Sequence, residues 1–63
     1  MNDYRLFRMR VTAPGFDLPL YEVAIRAIDP EDANAQAKRA FFDSLITMSK
    51  WPPPDGYEIK EVT

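Results

Sequence analysis

The most restrictive feature of this sequence is a helix start signal near its middle. Asp29 is a preferred N-cap residue, Pro30 suits the first helical turn, and Asp32 occupies the acidic position of a capping box. Glu31 and Asp32 also place negative charge at the positive end of the helix dipole. These signals predict a helix that begins at Pro30 and ends near Met48.

The predicted helix has one apolar side, which is small near its start and larger towards its end. At about 100° per residue, this side contains Ala33, Ala37, Ala40, Phe41, Ser44, Leu45 and Met48. Phe42 and Ile46, with Ala35, lie off this side, and two interpretations stay open. Either they form an exposed apolar patch, or the buried face is broad enough to include Phe42 or the helix ends before Ile46.

Two alternating segments precede the helix and predict an antiparallel β-hairpin, joined through a turn at Pro14-Gly15. From Tyr4 to Thr12 the inward residues are Phe7, Met9 and Val11, and the outward ones are Tyr4, Leu6, Arg8 and Arg10. From Leu20 to Ile28 the inward residues are Tyr21, Val23, Ile25 and Ala27. Phe16, at the tip of the loop, is predicted to tuck over the edge of the core, with an exposed contact as the alternative.

The segment after the helix predicts an irregular connection and a last strand. The prolines of Trp51-Pro52-Pro53-Pro54 end the helix, and Asp55-Gly56 makes a turn. Tyr57–Thr63 then alternates, with Tyr57 and Ile59 inward. Trp51 is predicted to cap the bottom of the core, and the alternative is that it anchors an interface.

The order strand, strand, helix, strand predicts an α+β two-layer sandwich. A right-handed crossover from the second strand to the third places the third strand beside the first. The expected ββαβ domain spans residues 1–63, with a three-stranded antiparallel sheet in the order 2-1-3 and one helix on one face.

The other face of this sheet has no cover within the chain. Three interpretations stay open: a solvated face, a homodimer formed through the face, and a binding surface for a partner. The candidate partner-binding residues are Tyr4, Leu6, Arg8, Arg10, Arg26, Phe42 and Trp51.

The composition removes the commonest parts of a catalytic site. The chain has no cysteine and no histidine, so the usual nucleophile, general base and transition-metal ligands are missing. With 63 residues it also leaves little room for a deep pocket. We therefore expect a non-enzymatic protein that uses no cofactor and no metal.

Charge makes nucleic-acid binding a weaker alternative. A net charge of −2 is unusual for a general nucleic-acid binder. Arg8, Arg10 and Arg26, flanked by Tyr4 and Leu6, nevertheless have the basic and aromatic character of sheet surfaces that bind nucleic acid. A further alternative is that the acids Asp29, Glu31, Asp32 and Asp43 imitate phosphate spacing.

Three features carry a resemblance in architecture: the hairpin Tyr4–Ile28, the helix opened by Asp29-Pro30-Glu31-Asp32-Ala33, and the closing strand Tyr57-Glu58-Ile59-Lys60-Glu61-Val62. A short cysteine-free ββαβ chain of this kind resembles small proteins of bacteriophages and mobile elements, among them the anti-CRISPR proteins. Those families share no common motif, so the resemblance carries over no functional residue. An archaeal-type ribosomal-protein domain has a similar order of elements and is far more basic.

The resemblance implies a phage-borne, non-catalytic inhibitor that binds a host protein or ribonucleoprotein complex and occludes its surface. The alternative is a small nucleic-acid-binding module that uses the open sheet face. No run reaches the roughly 18 apolar residues of a membrane span, and no signal-peptide pattern precedes the first strand. We therefore expect no membrane association and a cytoplasmic location, in the host cell if the protein is phage-encoded.

Overall fold

The computed structural model describes residues 3–62, which form three strands and one helix. In chain order these are β1 (Arg5–Thr12), β2 (Tyr21–Ala27), α1 (Pro30–Thr47) and β3 (Glu58–Glu61). The sheet is antiparallel in the order β2-β1-β3, and α1 packs against it. The predicted α+β ββαβ architecture is therefore confirmed. Met1, Asn2 and Thr63, which the predicted domain limits and last strand include, lie outside the described residues.

The strand register places the predicted inward residues on one face. Phe7 pairs with Ile25 and Met9 pairs with Val23, and all four face the helix. Val11, which is fully buried, is paired with Tyr21 on one side and Ile59 on the other. Since side chains alternate along each strand, the even-numbered residues of β1 and β2 lie on the opposite face.

The helix starts where its capping signal predicts. The backbone of Asp29 is extended, and its Oδ1 accepts a hydrogen bond from the Asp32 N–H at 2.7 Å. The Asp32 carboxylate accepts from the N–H of Ile28 at 3.4 Å and from Gln36 Nε2 at 3.1 Å. In a standard capping box the side chain at the position of Asp32 accepts a bond from the N–H of the N-cap residue. Here it accepts from Ile28, the residue before the N-cap. This bond ties the end of β2 to the first turn of α1.

Small side chains bring the helix close to the sheet. Ala33 and Ala37 are fully buried, and Phe41 follows them on the same side. Ala40, Ser44 and Leu45, also on the predicted face, are half-buried. Met48 was predicted to continue this face, but it is 57% exposed because the helix ends at Thr47 and Met48 is its C-cap.

The helix ends in a Schellman motif. The N–H of Ser49 donates to the C=O of Ile46 at 3.1 Å, and the N–H of Lys50 donates to the C=O of Leu45 at 2.8 Å. Ser49 has a φ of 58°, the left-handed conformation in which glycine is usually found. The motif directs the chain away from the helix axis and into the Trp51 segment.

Five aromatic rings meet at the end of α1. Phe41 lies 5.9 Å from Tyr21 and 5.6 Å from Tyr57, measured between ring centroids. Phe42 lies 5.0 Å from Trp51 in an edge-on arrangement and 5.9 Å from Tyr57. Phe42 is half-buried in this cluster, which matches the interpretation of a broad buried helix face.

Two aromatic residues are more exposed than the sequence predicts. Trp51 was expected to cap the core, but it packs against the edge of Phe42 and keeps 51% of its surface exposed. Phe16 was expected to tuck over the core, and it is 53% exposed. Ala13, which is buried, already closes the core there, and the turn from Ala13 C=O to Phe16 N–H carries the ring outwards.

Candidate protein-binding surface

The sheet face opposite the helix is assembled from cross-strand neighbours. Leu6 of β1 pairs with Arg26 of β2, and Arg10 pairs with Glu22 of β2 and with Lys60 of β3. Among residues 3–62, no element packs over this face. The molecule measures 14 Å along its shortest axis, which leaves room for one sheet and one helix.

The half of this face near the end of β1 is charged and internally paired. The Nε of Arg10 donates to Oε2 of Glu22 in an ion pair. Lys60 Nζ lies 3.2 Å from Glu58 Oε1. Exposed pairs of this kind contribute little to stability. They do reduce the electrostatic repulsion between Arg10 and Lys60, which are cross-strand neighbours. This half therefore presents charges that already have partners.

The other half is apolar and carries arginines, and we call it the Tyr4 patch. Tyr4 is 56% exposed, Leu6 66% and Ile28 51%. Continuing the β1–β2 register by one residue places Tyr4 opposite Ile28, next to the Leu6–Arg26 pair. The patch is defined by Tyr4, Leu6, Arg8, Arg26 and Ile28.

The two guanidinium groups of the Tyr4 patch are available. Among the described residues, neither Arg8 nor Arg26 has a carboxylate within ion-pairing distance. Ala24, which pairs with Arg8, has a small side chain. It lies at an open depression of about 310 Å³ that Arg8 and Glu22 also line. Arginines beside exposed apolar groups are typical of protein interfaces.

The charge of the open face is opposite to that of the whole chain. The chain has a net charge of −2, with eight basic and ten acidic residues. Four basic strand residues have side chains on this face: Arg8, Arg10, Arg26 and Lys60. Only two acidic strand residues do, Glu22 and Glu58. The face is therefore net positive on an acidic molecule.

The structure separates the seven candidate residues into two groups. Five lie on or directly before the strands of the open face: Tyr4, Leu6, Arg8, Arg10 and Arg26. Phe42 and Trp51 contact each other on the helix side of the sheet. The candidate residues therefore do not form one site. Ile28, which the alternation of the second strand also predicts on the open face, is not among the seven candidates.

A second apolar surface lies at the end of the sheet where β1 ends, β2 begins and α1 ends. The large apolar residues exposed there are Phe16, Leu18, Ile46, Met48 and Trp51. Leu18 is 77% exposed, and the sequence reading assigned it no role. These side chains come from loops and the last helical turn, whereas the Tyr4 patch rests mainly on paired strands.

The polar and charged side chains of residues 3–62 all lie at least partly at the surface. Every buried side chain among residues 3–62 is apolar. In the same range no group of three or more acidic side chains is placed to hold a metal ion. No helix in the described part of the chain has the length and apolar character needed to cross a membrane.

No protein-family model matches this chain, and no curated protein or solved structure matches it at a significant level.

Proposed function

We propose that this chain is a non-catalytic protein-binding domain, and that the Tyr4 patch contacts a partner with an apolar, acidic surface. One observation carries the proposal. Exposed apolar side chains and two arginines without partners among the described residues lie together on paired strands, on the net positive face of an acidic molecule. Tyrosine and arginine are the residue types that most often dominate binding energy at interfaces.

The open face lies on the broad side of the molecule. A stable complex buries about 800 Å² on each partner. The broad side of the molecule measures 40 × 24 Å, whereas its end measures 24 × 14 Å. The broad side therefore offers more area for such a footprint than the end does. This favours the open face over the second apolar surface as the main contact.

The narrower form of the proposal concerns the partner. We propose a phage-borne inhibitor that blocks a protein or ribonucleoprotein complex of host defence, in the manner of anti-CRISPR proteins, in the host cytoplasm. It is supported by the small ββαβ architecture and by a sheet face, suited to occlusion, that no element among residues 3–62 covers. An inhibitor of this kind needs only to cover a surface that the host complex uses, so contact residues are sufficient.

Affinity capture with matched variants tests the binding surface. The tagged wild type and a Tyr4→Ser/Leu6→Ser variant are compared on lysate of the native host, with Ile46→Ser/Met48→Ser as the control. All four positions are exposed, so each pair of changes should leave folding intact. We expect the first variant to lose a partner that the wild type and the control retain. Equal capture by all three proteins would contradict the proposed surface.

The inhibitor role is tested by titrating the purified protein into a reconstituted host defence effector and measuring its target cleavage. Loss of cleavage that depends on Tyr4 and Leu6 is the expected result. Full cleavage at saturating protein, for each effector of the host, would reject the inhibitor role. The binding proposal would remain, because capture of a partner is measured separately.

Nucleic-acid binding is the second candidate, favoured by the net positive charge of the open face. Against it, Arg10 is paired with Glu22 and Lys60 with Glu58, so half of the basic groups on this face are neutralised. Phosphate contacts would give binding that weakens steeply with salt. Binding of a single-stranded oligonucleotide at low salt, lost on Arg8→Ala, would favour this function over protein binding.

A further alternative is that Asp29, Glu31, Asp32 and Asp43 imitate the phosphates of a nucleic acid. Of the four acids, Asp29 and Asp32 already accept hydrogen bonds at the start of α1. Their carboxylates therefore already have a role in capping the helix, and this role accounts for them without mimicry.

A further inference from the structure

The two outer strands of the sheet differ in how open their edges are. β3 spans four residues, three of which are charged, and it follows a proline-rich segment. Short and charged edges resist pairing with another strand. β2 spans seven residues with no proline and has Ala24 at its centre. β2 is therefore the edge on which another strand can add.

The direction of the backbone groups along β2 follows from the bond that the Val62 N–H donates to the Arg8 C=O at 2.7 Å. In an antiparallel ladder, alternate residues of a central strand bond to opposite neighbours. Arg8 therefore bonds towards β3, and the residues on either side of it bond to β2. The β2 residues whose N–H and C=O groups point to the open edge are then Glu22, Ala24 and Arg26.

Side chains of the helix already cap the far end of this edge. Gln36 Nε2 donates to the C=O of Arg26 at 3.3 Å, and Asp32 accepts from the N–H of Ile28 at 3.4 Å. Among the described residues, the outward backbone groups of Glu22 and Ala24 have no such cap. The uncapped part is centred on Ala24, and a carbonyl such as that of Arg26 can still accept a second bond.

The sequence of β2 is complementary to itself when two copies run antiparallel about Ala24. Ala24 then faces Ala24 of the second copy, where two small side chains approach without conflict. Glu22 faces Arg26 of the second copy, and two-fold symmetry repeats this pair. On the helix side, Val23 faces Ile25 of the second copy. Opposite charges and β-branched pairs both stabilise neighbouring strands.

We propose that two copies of this chain join through their β2 edges into one continuous sheet, twice the three strands of one copy. About six backbone hydrogen bonds would form around the two-fold axis. Val23, which is half-buried, would lose further exposed surface. The open sheet faces stay uncovered in this dimer, and Arg26 of each copy would face Glu22 of the other at the joined edge. The dimer is tested by solution mass and the proposed function by partner capture, so the failure of one is distinguishable from the failure of the other.

Solution mass tests the dimer. Sedimentation equilibrium is measured on the whole chain from micromolar concentration to about 1 mM. The upper limit makes a weak dimer detectable, since a Kd of 1 mM corresponds to a binding free energy of only about −4 kcal/mol. We expect the mass to rise with concentration from 7.3 kDa to twice that value. A mass of 7.3 kDa throughout this range would overturn the proposal.

Ala24→Pro locates the interface. Its N–H points to the open edge, so proline removes no bond within the chain, and proline is tolerated on such edges. We expect a folded monomer, with folding confirmed by circular dichroism. A dimer that survives Ala24→Pro, or one that is lost in Leu6→Ser instead, would place the contact elsewhere and overturn the proposal.

A charge exchange tests the register. Glu22→Arg alone and Arg26→Glu alone each set like charges opposite each other at both pairs, so each variant should be monomeric. Mixing the two variants restores both pairs, and a heterodimer should form. Since Glu22 also pairs with Arg10 within the chain, the folding of each variant is checked by circular dichroism. No dimer in the mixture, from two folded variants, would overturn the proposed register.

Discussion

Ser49 ends the helix in a conformation that glycine adopts more easily. Its φ is 58°, and both of its neighbouring bonds, Ser49 to Ile46 and Lys50 to Leu45, depend on it. A side chain in the left-handed region costs about 1–2 kcal/mol. The Schellman motif therefore forms with backbone strain at Ser49. A substitution at this one residue can remove that strain.

We predict that Ser49→Gly stabilises the protein by about 0.5–1 kcal/mol, because strain relief exceeds the extra entropy of glycine in the unfolded chain. For a domain of this size, 1 kcal/mol raises the Tm by roughly 4–8 °C. Thermal unfolding followed by circular dichroism measures the change. A lower Tm in Ser49→Gly would show that the strain assigned to this residue is absent.

Gly56→Ala provides the opposite case. Gly56 has a φ of 76°, and a Cβ there would lie 3.3 Å from Cδ of Pro14. We predict a loss of at least about 1 kcal/mol, from the unfavourable φ and the close contact together. Unchanged stability to urea would mean that the contact between the two loops is looser than the structure shows.

The helix is placed by its small residues as much as by its large ones. Ala33 and Ala37 face the sheet and are fully buried, and they set the distance at which Phe41 reaches the aromatic cluster. Interiors packed this closely tolerate little added volume. The helix position therefore depends on alanine at these two turns.

We predict that Ala37→Leu destabilises the protein by about 1–3 kcal/mol, because the larger side chain pushes the helix from the sheet. Ala35→Leu is the matched control: Ala35 is exposed on the same helix, and its change should stay within about 0.5 kcal/mol. Urea unfolding of both variants measures the difference. Equal effects would contradict the packing of α1 on the sheet.

The N-cap is the other determinant of α1. We predict that Asp29→Ala costs about 1 kcal/mol, because the Asp32 N–H loses its 2.7 Å acceptor. Asp29→Asn retains an acceptor oxygen and should recover most of this loss. If Asp29→Ala is as stable as the wild type in thermal unfolding, the cap contributes nothing in solution.

The strands, the helix and their order could be predicted from the sequence because their signals are local. Alternation in β1 and β2 and the cap at Asp29 need no knowledge of the rest of the chain. The misplaced residues, Met48, Phe16 and Trp51, all lie in connections. Their burial depends on where a turn directs the chain, which periodicity does not record.

The candidate surface could be predicted only in part, for a related reason. The strand residues were assigned to one face correctly, since parity along a strand fixes the face. Phe42 was a candidate because it lies off the apolar side of the helix, and Trp51 because a tryptophan can anchor an interface; neither reason fixes which side of the sheet the residue occupies. Their separation follows from the crossover, which places α1 and the Trp51 segment on the other side of the sheet.

The whole molecule is thin and exposes more surface than its mass requires. Its accessible surface is 4887 Å² for 7.3 kDa, against about 4200 Å² expected for a folded monomer. The open sheet face accounts for part of this excess. The shortest dimension, 14 Å, holds only one sheet and one helix, so the second face of the sheet stays in contact with solvent. The excess surface is consistent with the proposed binding role of the open face.

We predict that Tyr4→Ser/Leu6→Ser changes the free energy of unfolding by less than about 1 kcal/mol, because both side chains are largely exposed. Partner binding should fall at least tenfold, which corresponds to about 1.4 kcal/mol. Urea unfolding and titration with the captured partner give the two values. A large loss of stability would show that the Tyr4 patch belongs to the fold and not to an interface.

Site-specific photocrosslinking in the native host identifies the contact face without disturbing the fold. Benzoylphenylalanine replaces Leu6 on the open face in one protein and Ile46 at the opposite end in another, both positions being more than half exposed. We predict a covalent partner adduct from the Leu6 position and none from the Ile46 position. An adduct from Ile46 with none from Leu6 would contradict the assignment of the open sheet face as the binding surface.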